Sequence, residues 1–200
     1  MVITGRVKVF ALSFALLLTS CTTLAPPSTP TKTISWAARS AQLQNIRQFD
    51  IKGKIAVRTA QDSGSATIHW LQNGDNYTIS IFGPLGSDGM TLHGRPGSVT
   101  MELANGEQVS ANNAEDLLAK QWGYHLPVSY LKYWIRGLPA PGADSQKLDQ
   151  YNRVTNLAQN GWQVEFLTYT NQNGIEVPQK INVASRDLTT KLVIYSWEIR

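Results

Sequence analysis

The sequence predicts a mainly β fold: an antiparallel sheet that curls into a partly closed barrel, with a few helices on its concave side or at its mouth. Apolar and polar residues alternate along about ten short segments. Charged residues form only 16% of the 200 residues, below the roughly 25% usual in soluble domains. Their place is taken by Ser, Thr, Asn, Gln and Gly, which suit a turn-rich β protein. A twisted sheet of about ten strands tends to curl, which explains the predicted barrel.

A targeting segment precedes the predicted domain. Arg6 and Lys8 lead into an apolar run over residues 9–18. This run has the length of a signal-peptide core and is shorter than the roughly 20 residues that a membrane-spanning helix needs. It ends in Leu18-Thr19-Ser20-Cys21, which resembles the lipobox of bacterial lipoproteins. That resemblance implies cleavage before Cys21 and acylation of the cysteine; the alternative is an ordinary secretory signal with a chance cysteine.

The residues after Cys21 predict how the domain is held and where. Residues 22–31 are rich in Pro and Thr without periodicity, which is typical of an extended, flexible tether. An Asp at the position of Thr22 would resemble an inner-membrane retention signal, so Thr22 favours the outer membrane, on its periplasmic face. The acylated cysteine of such a lipoprotein carries three acyl chains, which exceed the two signals that stable membrane anchoring requires. We therefore expect a lipoprotein signal peptide at 1–20, a lipid anchor and tether at 21–34, and a folded domain at 35–200.

Three helices are predicted within the domain. The first extends from an N-cap at Ser35 to about Ile46. The second follows Asn113, with acidic residues early and a lysine late. The third has Pro127 in its first turn and stops at Gly137. The apolar stripe of the third helix consists of Val128, Leu131, Trp134 and Ile135.

The remaining segments have the two-residue period of antiparallel strands with one apolar face. Two hairpin turns are indicated by the dipeptides Asn105-Gly106 and Asn160-Gly161, and a third turn by Arg186-Asp187. The predicted strands lie at about 49–58, 65–70, 76–81, 90–92, 99–103, 109, 154–157, 162–167, 180–184 and 190–197.

The sequence contains no motif for catalysis, metal binding or nucleotide binding. His69, His93 and His125 lack metal-ligand spacing, and no P-loop, nucleophile elbow or dinucleotide motif is present. Without Arg6 and Lys8 the net charge falls from +4 to +2, with no basic run of the nucleic-acid type. We expect no enzymatic activity, cofactor, metal or nucleic-acid partner. A catalytic triad assembled from distant positions stays an alternative.

Two features point instead to apolar ligands. The six tryptophans either fill the core or line a pocket for something long and apolar, since a curled sheet has more apolar surface than short helices cover. Leu85, between Pro84 and Gly86 in a loop at 83–89, either folds back or forms an exposed tip that touches lipid or a lipidated client. The residues expected to wall the cavity are Trp70, Ile79, Ile81, Met101, Leu131, Trp134 and Phe166.

Several motifs, in order from about residue 36 to 200, together resemble the LolB family of outer-membrane lipoprotein receptors. They are Gly83-Pro84-Leu85-Gly86, Leu126-Pro127-Val128, residues 134–139, Gln159-Asn160-Gly161-Trp162 and the last strand. The resemblance implies a half-open antiparallel barrel lidded by helices around an apolar cavity. It implies a monomer without cofactors that takes mature lipoproteins from the periplasmic carrier LolA and places them in the outer membrane. Leu85 matches the family's functional loop leucine.

Two alternatives to the receptor role stay open at this point. The first is a lipoprotein with a structural or assembly role in the envelope, which would bind another protein through a sheet edge or an aromatic face. The second is an envelope hydrolase. A continuous apolar cavity without convergent titratable groups would favour the receptor over the hydrolase. A filled core with an exposed aromatic patch would favour the structural or assembly role.

Overall fold

The structure, a computed structural model, describes residues 33–83, 89–123, 125–143 and 145–200. The predicted signal peptide, Cys21, most of the tether, and the loop residues Pro84, Leu85 and Gly86 lie outside the described residues. The described helices are α1 (Trp36–Gln44), α2 (Ala114–Trp122) and α3 (Val128–Trp134). The described strands are β1 (Gln48–Arg58), β2 (Ser63–Asn73), β3 (Asn76–Phe82), β4 (Met90–Arg95), β5 (Ser98–Leu103), β6 (Gln108–Ala111), β7 (Ser145–Leu148), β8 (Val154–Gln159), β9 (Trp162–Gln172), β10 (Ile175–Ala184) and β11 (Thr189–Ile199).

The first two helices begin at the capping residues that the sequence predicts. The Ser35 hydroxyl accepts a hydrogen bond from the Ala38 amide at 3.2 Å, and the Asn113 side chain accepts one from the Asp116 amide at 2.8 Å. Each satisfies an amide that the first helical turn leaves without an acceptor. Pro127 precedes the first residue of α3 rather than lying inside its first turn. None of the helices in the described part is long and apolar enough to cross a membrane.

The strands form one antiparallel sheet in the order β6-β5-β4-β3-β2-β1-β11-β10-β9-β8-β7. The first and last strands therefore lie side by side at its centre. Among the described residues β6 and β7 are edges and do not pair with each other, so the sheet is not closed. The chain between these two edges contains α2 and α3. The prediction of a mainly β protein with an unclosed antiparallel sheet is confirmed.

Five strand connections lie at the same end of the sheet, which we call the mouth end. The register shows this. Phe82, the last residue of β3, pairs with Thr67 in the first half of β2. Thr189, the first residue of β11, pairs with Arg58, the last residue of β1. The opposite end, the base end, carries the β2–β3 and β4–β5 turns. The five connections at the mouth end are residues 59–62, 83–89, 104–107, 160–161 and 185–188.

The inner face of the sheet and the apolar faces of the helices share one core. Near the base end the ring of Phe49 lies 5.5 Å from that of Trp197 and 6.3 Å from that of Trp70. Two buried indoles are fixed by glutamine: Trp70 Nε1 donates to Gln72 at 2.8 Å, and Trp134 Nε1 donates to Gln159 at 3.0 Å. Because each indole N–H has an acceptor, these tryptophans lie in the core at little polar cost.

Candidate functional site: an apolar cleft at the mouth end

An open cleft of about 250 Å³ lies on the inner face of the sheet at the mouth end. Its walls come from three neighbouring strands, β1 to β3, and from the end of α2. Hydroxyl groups, one carboxylate and a glycine form its rim. The apolar walls are Ile55, Val57, Ala66, Ile81, Trp122 and Leu126, and the rim consists of Thr59, Asp62, Ser63, Gly64 and Ser65.

Strand register brings the apolar walls together. Ile55 pairs with Ala66 across β1 and β2, and Val57 pairs with Gly64. Ile81 follows on β3, opposite the buried Ile68. Residues two apart in a strand, and residues paired across neighbouring strands, point to the same face of a sheet. All of these residues therefore face the inside of the curled sheet. Gly64 contributes no side chain, so the cleft is open beside Val57.

Trp122 covers the cleft from the helical side. It is the last residue of α2, because Gly123 adopts a left-handed conformation with φ of 78° and stops the helix. The Trp122 side chain is 41% exposed, whereas Leu126 behind it is buried. A large aromatic surface left partly in water beside an apolar cleft is suited to covering a hydrocarbon chain.

The predicted loop joins this same end of the sheet. Ile81 lines the cleft, and residues 83–89 follow it two positions later. A Cβ added at Gly89, where the chain returns to β4, would lie 3.0 Å from the Phe82 ring. The two ends of the loop are therefore close to the cleft, although Leu85 itself lies outside the described residues.

The seven residues predicted to wall a cavity lie in two places. Ile81 lines the cleft. The other six have at most 8% of their surface exposed and belong to the common core: Trp70, Ile79, Met101, Leu131, Trp134 and Phe166. That these six also contact a ligand stays a prediction. Sequence reasoning did not single out Trp122 as a site residue; its position beside the helix-stopping Gly123 was the available signal.

The lining offers apolar contact rather than acid–base chemistry. Asp62 is the ionisable residue among those that line it, and its carboxylate accepts a hydrogen bond from the Ser63 amide at 2.7 Å. Within the described ranges no three His, Cys, Asp or Glu side chains are grouped to hold a metal ion. The cleft is therefore suited to holding hydrocarbon.

Two solved structures share this fold. A LolA superfamily protein from Nitrosomonas europaea superimposes with a TM-score of 0.50 at 9% sequence identity, covering 84% of this chain and 94% of that one. A DUF1329 family protein from Desulfovibrio piger superimposes with a TM-score of 0.52 at 8% identity, covering 82% and 90%. At these identities the likeness concerns the architecture of the sheet and its helices.

Sequence similarity is much closer to one group of proteins. Residues 47–197 match the family model described as outer membrane lipoprotein LolB. A Pseudomonas putida protein named outer-membrane lipoprotein LolB is 45% identical over 166 residues, covering 82% of this chain and 81% of that protein. A Stutzerimonas stutzeri protein of the same name is 40% identical over 190 residues, covering 93% and 92%. The chain belongs to the outer-membrane lipoprotein LolB family.

Proposed function

We propose that the protein, anchored through Cys21 to the periplasmic face of the outer membrane, receives mature lipoproteins from the carrier LolA and incorporates them into that membrane. The observation that carries this proposal is the apolar cleft at the mouth end, in a chain of the LolB family. This is a lipoprotein transport family and not a family of enzymes, which argues against the hydrolase alternative.

The energetics of the cargo explain why a receptor with an apolar site is needed. A mature lipoprotein carries three acyl chains, and each methylene buried from water contributes about 0.8 kcal/mol. Exposing some forty methylenes would cost on the order of 30 kcal/mol. Free diffusion from carrier to membrane is therefore excluded, and the chains pass directly from one apolar site to the next. Without nucleotide hydrolysis, differences in affinity set the direction, with the bilayer binding most tightly.

The volume of the cleft limits how much of an acyl chain it can hold. At about 250 Å³ it is slightly smaller than the roughly 300–1,000 Å³ of typical ligand pockets, so as described it holds part of one chain. Further hydrocarbon enters between the helical layer and the sheet. Leu131 and Trp134 on α3, and Ile79 and Met101 on the strands, are core residues of these two layers. We place them along the deeper path of the chains.

The proposal is tested by transfer of an acylated lipoprotein from its carrier to the chain that begins at residue 22. This chain keeps every described core residue, because the core extends from Leu43 to Trp197. Ile81→Glu places a charge in the cleft and is expected to abolish acceptance. Ser80→Glu places the same charge on the opposite face of the same strand and should accept lipoprotein normally.

Thermal unfolding of both variants separates loss of the cleft from loss of the fold. Failure of transfer in a folded Ile81→Glu protein supports the proposal. Normal transfer by that variant, or no transfer to the wild-type chain from a loaded carrier, contradicts it.

A further inference from the structure

A second cleft, of about 660 Å³, lies at the mouth end on the outer face of the sheet. It is formed where β11, β1 and β2 lie side by side. Two cationic side chains and three hydroxyl groups line this cleft, and the other lining residues have small side chains or none. The lining consists of Ala56, Val57, Arg58, Ser63, Gly64, Ser65, Thr189 and Lys191. This composition is typical of sites for anions, and the apolar cleft on the inner face differs from it in kind.

The two cations of this outer cleft are available to a ligand. Register places Arg58 opposite Ser63 on one side and Thr189 on the other, and it places Lys191 opposite Ala56. Both cationic side chains are exposed, and within the described ranges neither lies within 4 Å of a carboxylate. Neither charge is therefore held in a close ion pair with a described carboxylate.

Cationic and acidic side chains are unevenly distributed along the strands of the outer face. Lys52 and Lys54 share the outer face of β1 with Arg58, and Lys180 lies one strand beyond β11. Acidic residues of the two central strands, Asp50 and Glu198, pair with each other near the base end. Three further acids lie toward the mouth end: Glu165, which accepts a hydrogen bond from Asn182, and the loop residues Asp62 and Asp187. On the half of this face that adjoins the mouth, Lys54, Arg58, Lys180 and Lys191 thus outnumber these three acids by one.

The outer cleft and the apolar cleft meet at the start of β2. Val57, Ser63, Gly64 and Ser65 line both. A Cβ placed at Gly64 would meet no described atom within 4 Å, so there is open space beside this shared residue. A molecule with a hydrocarbon chain and an anionic group a few atoms apart can therefore occupy both clefts at once.

We propose that the outer cleft binds the phosphate of a membrane phospholipid whose acyl chain enters the apolar cleft across Gly64. The inference deepens the proposed function, since it rests on that function for the use of the apolar cleft. Arg58 supplies a planar fork that binds phosphate oxygens in pairs, and Lys191 supplies a point charge. Hydroxyl groups of Ser63, Ser65 and Thr189 donate the remaining hydrogen bonds. The receptor thereby takes hold of a bilayer lipid at the point where acyl chains leave it.

Three probes resolve the two clefts, each titrated by calorimetry into the chain that begins at residue 22. Lysophosphatidylglycerol, below its micelle concentration, carries both the chain and the phosphate. Monoacylglycerol carries the chain alone, and glycerol phosphate carries the phosphate alone. We expect lysophosphatidylglycerol to bind most tightly and glycerol phosphate to bind weakest.

The double variant Arg58→Gln/Lys191→Gln is expected to weaken lysophosphatidylglycerol binding about tenfold, the combined effect of two exposed charge contacts. Its affinity for monoacylglycerol should not change. The matched control Arg95→Gln/Lys120→Gln removes two exposed cations elsewhere and should change lysophosphatidylglycerol affinity less than twofold.

The outcomes distinguish this inference from the proposed function. If monoacylglycerol binds but lysophosphatidylglycerol gains nothing from Arg58 and Lys191, the headgroup site is wrong and the apolar cleft stands. If glycerol phosphate binds as tightly as lysophosphatidylglycerol, the site takes free phosphate and the inference also fails. If neither acylated probe binds, the proposed function fails with it.

Discussion

The carboxylate of Glu176 on β10 accepts a hydrogen bond of 2.8 Å from Arg39 on α1, and both side chains are more than nine-tenths buried. The other carboxylate oxygen of Glu176 lies 3.2 Å from Arg153 Nη1, and Arg39 also donates to the Tyr151 carbonyl at 3.1 Å. One glutamate thus joins the first helix, the sheet and the segment before β8.

Removing this glutamate should destabilise the fold strongly. Glu176→Ala leaves the buried Arg39 without a carboxylate, whereas Arg153 keeps Asp149 as a partner. Loss of one partner of a buried ion pair costs about 3–5 kcal/mol. Urea unfolding at pH 7 measures this cost. Glu198→Ala removes the exposed partner of Arg200, which lies 3.3 Å away, and should cost less than about 1 kcal/mol. Equal midpoints for the two variants would show that the buried network does not stabilise α1.

Part of the free energy of unfolding depends on pH through the ionisation of the Asp149 carboxyl. Burial raises the pKa of its carboxyl, but hydrogen bonds from the Arg153 backbone and side chain and from the Tyr151 amide outweigh burial and hold the pKa below its usual value. A lowered pKa in the folded state means that the stabilisation is complete above the unfolded value of about 3.9. It is lost as pH falls through the lower, folded pKa.

Unfolding free energies between pH 7 and pH 2 test this linkage. Asp149→Asn should lower stability at pH 7 and reduce its further decline in acid. Asp75→Asn is the control, because the Asp75 side chain is 64% exposed and contacts Lys132 at 3.5 Å. An Asp149→Asn protein with the acid sensitivity of the wild type would refute the role of Asp149.

Gly94 allows an aromatic ring to lie against the backbone of β4. A Cβ at this position would approach the Tyr77 ring to 2.0 Å, and that ring packs 6.4 Å from Trp70. Gly94→Ala should therefore displace Tyr77 and cost about 1–3 kcal/mol, as overpacking does in cores. Gly64→Ala, at a position with open space, should change stability by at most about 0.5 kcal/mol. Thermal unfolding of both variants gives the comparison.

The lipid anchor is tested by mass spectrometry. The run at residues 9–18 and the motif that ends in Cys21 predict cleavage after Ser20 and a triacylated amino-terminal cysteine in protein extracted from membranes. An intact leader or an unmodified Cys21 would disprove the prediction. We also expect the anchor only to concentrate the domain at the membrane, so a Cys21→Ala form, exported with another signal, should still accept acyl chains.

Leu85 is predicted to act in delivery and not in folding or acceptance. Inserting one leucine into a bilayer is worth roughly 1.5–3 kcal/mol, which is too weak for anchoring and sufficient to bias an encounter. Leu85→Glu should leave the melting temperature and acceptance from the carrier near normal while insertion into liposomes fails. Ser87→Glu adds the same charge to the same loop and should insert normally. Unfolding of Leu85→Glu, or loss of acceptance with insertion spared, would assign Leu85 to the packed interior.

Most of the fold follows from local sequence signals. The two-residue period predicts the long strands, and Asn160-Gly161 predicts a tight hairpin whose two residues have positive φ of 50° and 77°. β7 escaped prediction because its four residues are all exposed and show no alternation. β10 begins earlier than the predicted strand at 180–184 and includes Pro178, since a register shift between Pro178 and Lys180 accommodates the missing amide hydrogen.

The site was harder to predict than the fold, because burial depends on which strands become neighbours. Composition shows six tryptophans without indicating which lie at an edge. Trp134 is held in the core by Gln159, which lies 25 residues away in the sequence. The outer cleft arises from Arg58 and Lys191, which the pairing of the first and last strands brings together. Such long-range pairing leaves no local signature in the sequence.

The pairing of β1 with β11 also fixes the order in which the molecule can assemble. Phe49 meets Ile199 only after almost the whole described chain has been made, so contacts distant in sequence close the sheet, a topology associated with slow folding. The two halves, β1–β6 and β7–β10, are built from neighbouring hairpins and can form earlier. They become one surface only when β11 is inserted between them. A chain made only as far as β10 therefore lacks the continuous apolar inner surface of the complete sheet, although it already contains every residue that lines the apolar cleft.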